Sequence, residues 1–129
     1  VIVDLADIIY SLSPTLDSYF PFSDPSIGSY ALTFISDNPS YSYLSYDLNG
    51  DFQYSREKSV ISNLASAGTY IFKNVATYLR SLAFAFDHPD FHTFNQLFYV
   101  CPLFNGVHSQ GLSIHPCHVD LIYDPKTSQ

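Results

Sequence analysis

The chain has no methionine, no tryptophan and one glutamate, Glu57. Basic residues are scarce, five Lys and Arg in 129 positions, and none precedes Arg56. A chain so poor in cations cannot neutralise many phosphates, which excludes nucleic acid as its main partner. Long apolar runs are missing as well. The nearest candidate, residues 70–86, is broken by Lys73, Asn74 and Arg80, so no membrane-spanning helix and no membrane partner are expected. The first residues lack the basic start of a secretory leader, and Asp4 and Asp7 interrupt their apolar character. No Asn-x-Ser/Thr sequon occurs. There is no glycine-rich phosphate loop and no Gly-x-Ser-x-Gly elbow, and the expectation is a non-enzymatic protein with no cofactor. The two cysteines, Cys101 and Cys117, are expected as free thiols. If residues 97–103 and 111–119 pair across a turn at Asn105–Gly106, the two thiols are offset by about three residues, beyond bridging distance.

What the chain has is apolar and aromatic bulk. Apolar residues make up 47% of it and aromatics 17%, enough for one well-filled core and far from a disordered composition. The formal charge of −7 sits entirely in residues 1–55, which carry seven aspartates (Asp4, Asp7, Asp17, Asp24, Asp37, Asp47 and Asp51) and no base. The remaining residues balance five acids against five bases. One acidic end or face is therefore expected on a single domain covering residues 1–129.

Local patterns suggest an order of elements. Leu5, Ile8, Ile9 and Leu12 recur at helical spacing behind Asp4 and Asp7, which predicts a helix over residues 1–12. Pro14, Pro21, Pro25 and Gly28 make residues 13–28 an extended connector, with one short strand over 19–22. Strands follow over 29–36, 41–48 and 51–55, the last two joined at Asn49–Gly50 by a type I′ turn. Val60, Leu64, Ala67, Ile71, Val75, Tyr78 and Leu82 then step by three or four residues, predicting one long amphipathic helix with Ser55 before it as cap and Gly68 as its weak point. His88–Pro89 ends the pattern, and two strands over 93–103 and 111–123 close the chain. The expected fold class is α+β: an N-terminal helix, a three-stranded antiparallel meander, a long amphipathic helix and two C-terminal strands.

Candidate sites are few. Asp47-x-Asn49-x-Asp51 matches the start of a calcium loop, but Phe52 stands where the turn needs glycine and Lys58 where the bidentate acid belongs. It is carried as the alternative reading, a small ligand- or calcium-binding module. His115, Cys117, His118 and Asp120, with His88, His92 and His108 elsewhere, offer zinc-type ligands without a spacing that gathers four of them, so no metal site is assigned. The Tyr-rich strands are more telling. Tyr41, Tyr43, Tyr46 and Tyr54 alternate with serine, chemistry suited to protein–protein contact, and these four are the interface candidates.

A strand ending in Phe34-Ile35-Ser36-Asp37, a helix over 60–82, Phe91-x-x-Phe94 and a late strand over 112–115 together give a layout that resembles the tail-terminator and tail-completion proteins of tailed bacteriophages. The resemblance implies a structural protein of the virion, assembled in the host cytoplasm, that forms a ring. Its partners would be copies of itself and neighbouring particle proteins.

Overall fold

The computed structural model describes residues 1–6, 8–12 and 20–124. Asp7, the connector around Pro14, Asp17 and the start of the strand expected at Tyr19 lie outside the described residues. The elements are β1 (Ile2–Asp4), β2 (Ile9–Leu12), β3 (Ile27–Ile35), β4 (Tyr43–Tyr46), β5 (Phe52–Arg56), β6 (Leu64–Phe72), α1 (Val75–Asp87), α2 (Pro89–His92), β7 (Thr93–Phe94), β8 (Leu97–Phe98), α3 (Leu103–Ser109) and β9 (Ser113–Tyr123).

Seven strands form one mixed sheet in the order β2-β9-β3-β6-β4-β5. Strand β1 joins it by pairing with the far half of β6, from Ile2 opposite Ile71 to Asp4 opposite Thr69. The β3–β9 pair is parallel and the other pairs are antiparallel. Both faces of the sheet are covered. Leu32, Phe34, Ala65, Ala67, Ile71 and Val119 point to one core, which Tyr10, Phe20 and Phe22 help to close. Ala31, Tyr70, Phe72 and Ile114 point to the other, beneath α1 and α3. Two-sided burial is why β3 and β6 read as nearly continuous apolar runs rather than as half-polar strands.

This architecture corrects the expected α+β layout. Two short strands, β1 and β2, stand where a helix over residues 1–12 was expected, because their backbones pair with β6 and β9, Ile2 opposite Ile71 and Ile9 opposite Tyr123. The three-stranded meander is not formed, since β6 lies between β3 and β4. Only its second hairpin is present, with Leu44 opposite Ser55 and Ser45 opposite Tyr54. Its turn also differs from type I′: the Gly50 N–H donates to the Asp47 carbonyl at 3.0 Å, and Gly50 is the residue with positive φ (81°). Only glycine adopts that left-handed geometry at no steric cost.

The long helix divides in two. Residues 64–72 are strand and the helix begins at Val75, where the Asn74 side chain accepts from the Thr77 N–H at 2.8 Å. A stripe of apolar residues three or four apart fits a buried strand and a helix alike in so apolar a stretch, and Asn74 was the boundary signal. The strand expected over 93–103 is reduced to the two-residue pieces β7 and β8, and residues 103–109 are helix. The element order behind the tail-terminator resemblance is therefore not the one the chain adopts.

Cys101 and Cys117 are both free and buried. Burial pushes the Cys101 thiol up to about 12, so at neutral pH it stays protonated and behaves as a small apolar group.

Helices α1 and α3 meet without a spacer. A Cβ placed on Gly106 would lie 2.6 Å from the Ser81 Cα, which is backbone and cannot swing aside. The Gln110 side-chain amide, at the end of α3, donates to the Gly106 carbonyl at 2.9 Å and, across the contact, to the Ser81 hydroxyl at 3.1 Å. Gly106→Ala is expected to cost ~1–3 kcal/mol by forcing the helices apart. The measurement is the denaturant midpoint, which should fall while the slope of the transition is unchanged.

Candidate functional site

Strand β5 is an edge of the sheet, with β4 on one side and, among the described residues, no strand on the other. An edge strand leaves backbone donors and acceptors to be satisfied. Here the Asn105 side chain does so. Its Oδ1 accepts from the Ser55 N–H at 2.8 Å and its Nδ2 donates to the Ser55 carbonyl at 3.0 Å, the pair of bonds a neighbouring strand would supply. The Ser55 hydroxyl donates to the Cys101 carbonyl at 2.9 Å, fixing the start of α3 to the same point.

This docking leaves a cleft of about 780 Å³ between β5, the 57–63 loop, the end of α1, α2 and α3. That volume is within the range of small-molecule sites. Gln53, Tyr54, Ser55 and Arg56 come from β5, Ser59 and Ile61 from the loop, Phe84 and His88 from the end of α1, Phe91 and His92 from α2, and Asn105, His108 and Ser109 from α3. Among the described residues, one arginine and three histidines line it, and no Asp or Glu does. The Arg56 guanidinium sits over the Phe91 ring, 5.8 Å from its centroid, a contact that holds the cation at the cleft wall.

The histidines are ordered by their surroundings. His88 stacks on Phe84 (4.3 Å between centroids, 28° between planes), and its Nδ1 donates to the Phe84 carbonyl at 2.9 Å. His92 is 2% exposed, and Phe84 meets it edge-on at 5.4 Å. The His92 Nδ1 lies 2.6 Å from the His88 carbonyl oxygen. A carbonyl only accepts, so Nδ1 carries the proton and the neutral ring presents a lone pair at Nε2. That Nε2 is buried and, among the described residues, has no hydrogen-bond partner. An orphaned buried acceptor costs about 1–3 kcal/mol. Burial, the largest influence, holds the His92 pKa below the usual histidine value, against the opposing effect of the His88 carbonyl. His108 rests against Phe52 at 5.5 Å.

The sequence candidates are redistributed. Tyr41 and Tyr43 are buried in the core, and the Tyr41 hydroxyl donates to the Asp124 carboxylate. The Tyr46 hydroxyl donates to the Ile114 carbonyl at 2.9 Å. Of the four interface candidates, only Tyr54 lines the cleft. In the Asp47–Asn49–Asp51 loop, the Asp47 Oδ1 accepts from the Asn49 and Asp51 N–H groups, each at 2.9 Å, which is a hairpin's use of an aspartate. Asp51 lines a second depression of about 190 Å³, where it shares the wall with His115. His118 pairs with Asp120 at 3.6 Å on an exposed surface. Among the described residues, no three His, Cys, Asp or Glu side chains are placed to hold a metal ion. Sequence reasoning named His88, His92 and His108 only as possible metal partners and did not single out Arg56, Phe84 or Asn105. Arg56 carried one signal, being the first cation in the chain; Asn105 was read only as part of an Asn-Gly turn, and it lies inside α3 instead.

No protein family and no characterised protein matches the chain by sequence. Among solved structures, it is similar to the nucleoside-diphosphate-sugar pyrophosphorylase from Vibrio cholerae RC9, with a TM-score of 0.67 and 26% identity. The match covers 83% of this chain and 48% of that one, so the chain spans about half the length of the protein it resembles. That protein bears the name of an enzyme. The likeness corrects the expectation of a non-enzymatic chain, which rested on the absence of familiar motifs.

The neutral, buried His92 gives the fold a pH dependence of definite sign. Its folded-state pKa lies below the ordinary value, so the unfolded chain takes up the proton first as pH falls. Stability from this group is full above about pH 6.5 and declines below it. The thermal midpoint followed from pH 7.5 to 5 should show that decline, and His92→Gln should flatten it.

Proposed function

We propose that this chain binds a small anionic molecule carrying a flat ring, of the nucleoside-diphosphate-sugar class, in the cleft beside β5, and that it serves an enzyme acting on such a compound. One observation carries the reading: in a chain of net charge −7, the cleft wall holds the guanidinium of Arg56 and, among the described residues, no acid. A planar guanidinium matches phosphate oxygens in pairs, and a partly enclosed site strengthens that attraction over the same contact in water. Tyr54, Phe84 and Phe91 supply flat apolar walls on which a nucleobase can stack. The likeness to a nucleoside-diphosphate-sugar pyrophosphorylase adds support for this ligand class.

Titration calorimetry of the chain with UDP-glucose, GDP-mannose and inorganic pyrophosphate tests the reading. Saturable binding of at least one nucleotide sugar is expected, and Arg56→Ala should weaken it about tenfold or more, the loss of one charge-assisted contact. Absence of binding at millimolar ligand would defeat the reading.

A second reading, assembly of copies of the chain into a ring as in the tail-terminator proteins, is favoured by a different observation. Val75, Leu79 and Phe86 lie exposed along α1 at helical spacing, and exposed Phe98 meets Phe86 edge-on at 4.8 Å. Contiguous exposed apolar surface of this kind marks contact sites. Light scattering should then give a mass that is a multiple of 14.5 kDa, insensitive to chelator, and Leu79→Glu should return it to that of one chain. A single-chain mass at tens of micromolar would count against assembly.

A further inference from the structure

We propose that two copies of this chain pair through the outer face of α1, antiparallel and about a two-fold axis that passes beside Ala83. The pairing rests on the assembly reading, since both place copies on this face, and it closes the contact at two; it is independent of what the cleft binds. The inner side of α1 places Thr77, Ser81 and Ala85 in the interior, with Tyr78 and Leu82 packed on the helix-side core. The outer side carries Val75, Ala76, Leu79, Ala83 and Phe86, all of them exposed. A helix that is apolar all round needs cover on both sides. Phe98, itself exposed, meets Phe86 edge-on and widens the patch.

Charge complementarity selects a second copy as the occupant. Arg80 and Asp87 are the charged residues of α1, and both are exposed. At about 100° of rotation per residue they fall along one edge of the apolar stripe, two turns and about 10 Å apart along the axis. Among the described residues, neither forms an ion pair. An antiparallel partner centred between Ala83 and Phe84 brings Arg80 opposite the partner's Asp87 and Asp87 opposite the partner's Arg80, with both pairs on the same edge. The small Ala83 at the centre lets the two helices approach closely, and Leu79 falls beside the partner's Phe86. A contact of this kind uses the same patch on both copies and therefore closes at two. A lipid surface would favour bases along the edges of the stripe, whereas Arg80 is matched there by Asp87.

The experiment is a charge swap followed by sedimentation equilibrium. The wild-type chain at tens of micromolar should have twice the mass of one 14.5 kDa chain. Arg80→Asp and Asp87→Arg each set like charges against one another at both contacts, and each should weaken self-association about tenfold or more. Mixed in equal amounts, the two variants should associate with each other about as tightly as the wild-type chain, because every contact then joins opposite charges. The chain carrying both substitutions should also dimerise. Both positions are exposed, so the circular dichroism of each variant should match that of the wild type. If the mixture associates no better than either variant alone, the two-fold pairing is overturned. A mass above two chains, or a dimer that the single reversals leave unaffected, also overturns it while the assembly reading stands. A single-chain mass at the same concentration defeats both.

Discussion

The pair of hydrogen bonds between the Asn105 side chain and the Ser55 backbone holds the working end of this molecule together. A sheet edge must be paired, covered or charged, and here one amide covers β5 at Ser55, near the strand's end. The bonds draw α3 against β5, and the Ser55–Cys101 bond holds the segment before α3 in the same place. With α3 so fixed, the close approach at Gly106 and Ser81 sets where α1 must lie, and the end of α1 delivers Phe84 and His88. The cleft is the space that remains. Its walls come from three separated stretches of the chain, residues 53–61, 84–92 and 105–109, and its shape follows from the α1–α3 contact and the edge-strand contact.

The sheet beneath supplies the rigidity. β3 and β6 are buried on both faces, so a shift of register by one residue would exchange the contents of two cores and misplace the large rings of both. Tyr70, Phe72 and Phe104 fill the helix side, with ring centroids 5.6 and 5.8 Å apart along the Tyr70–Phe104–Phe72 chain of contacts. Against that fixed background the cleft residues are more loosely held. Phe91 is 61% exposed and Tyr54 43%. A stable sheet carrying a less tightly packed rim is a common division of labour, because binding surfaces need groups not already committed to the core.

The strands were legible where alternation or turn chemistry marked them. Residues 29–36 and 111–123 were read close to the observed β3 and β9, and the β4–β5 hairpin was announced by Asn49–Gly50. The failures share one cause. In residues 60–82 a high density of apolar side chains satisfies a helical stripe and a doubly buried strand at once, and only Asn74 marks where one gives way to the other. In residues 1–12 the same ambiguity was settled by pairing with β6 and β9, partners distant in sequence. The placement of the tyrosines depends on tertiary structure for a related reason. An alternating Tyr and Ser strand presents rings to one side, but which side is core depends on the neighbouring elements, and Tyr41 and Tyr43 face inward.

By itself the sequence determined the chemistry in hand: an acidic chain with few cations, two thiols read as unpaired, abundant rings and no recognisable catalytic motif. It determined the strong turns too, because those depend on residues within three or four positions of one another. The tertiary structure decided which groups meet. Arg56, His88, His92 and His108 are spread over more than fifty positions, and no spacing rule connects them. They come together because an edge strand, a helix corner and an amide pair close around the same volume. The free lone pair of His92 is likewise a property of the fold, since it arises from burial and from a carbonyl one helical turn away.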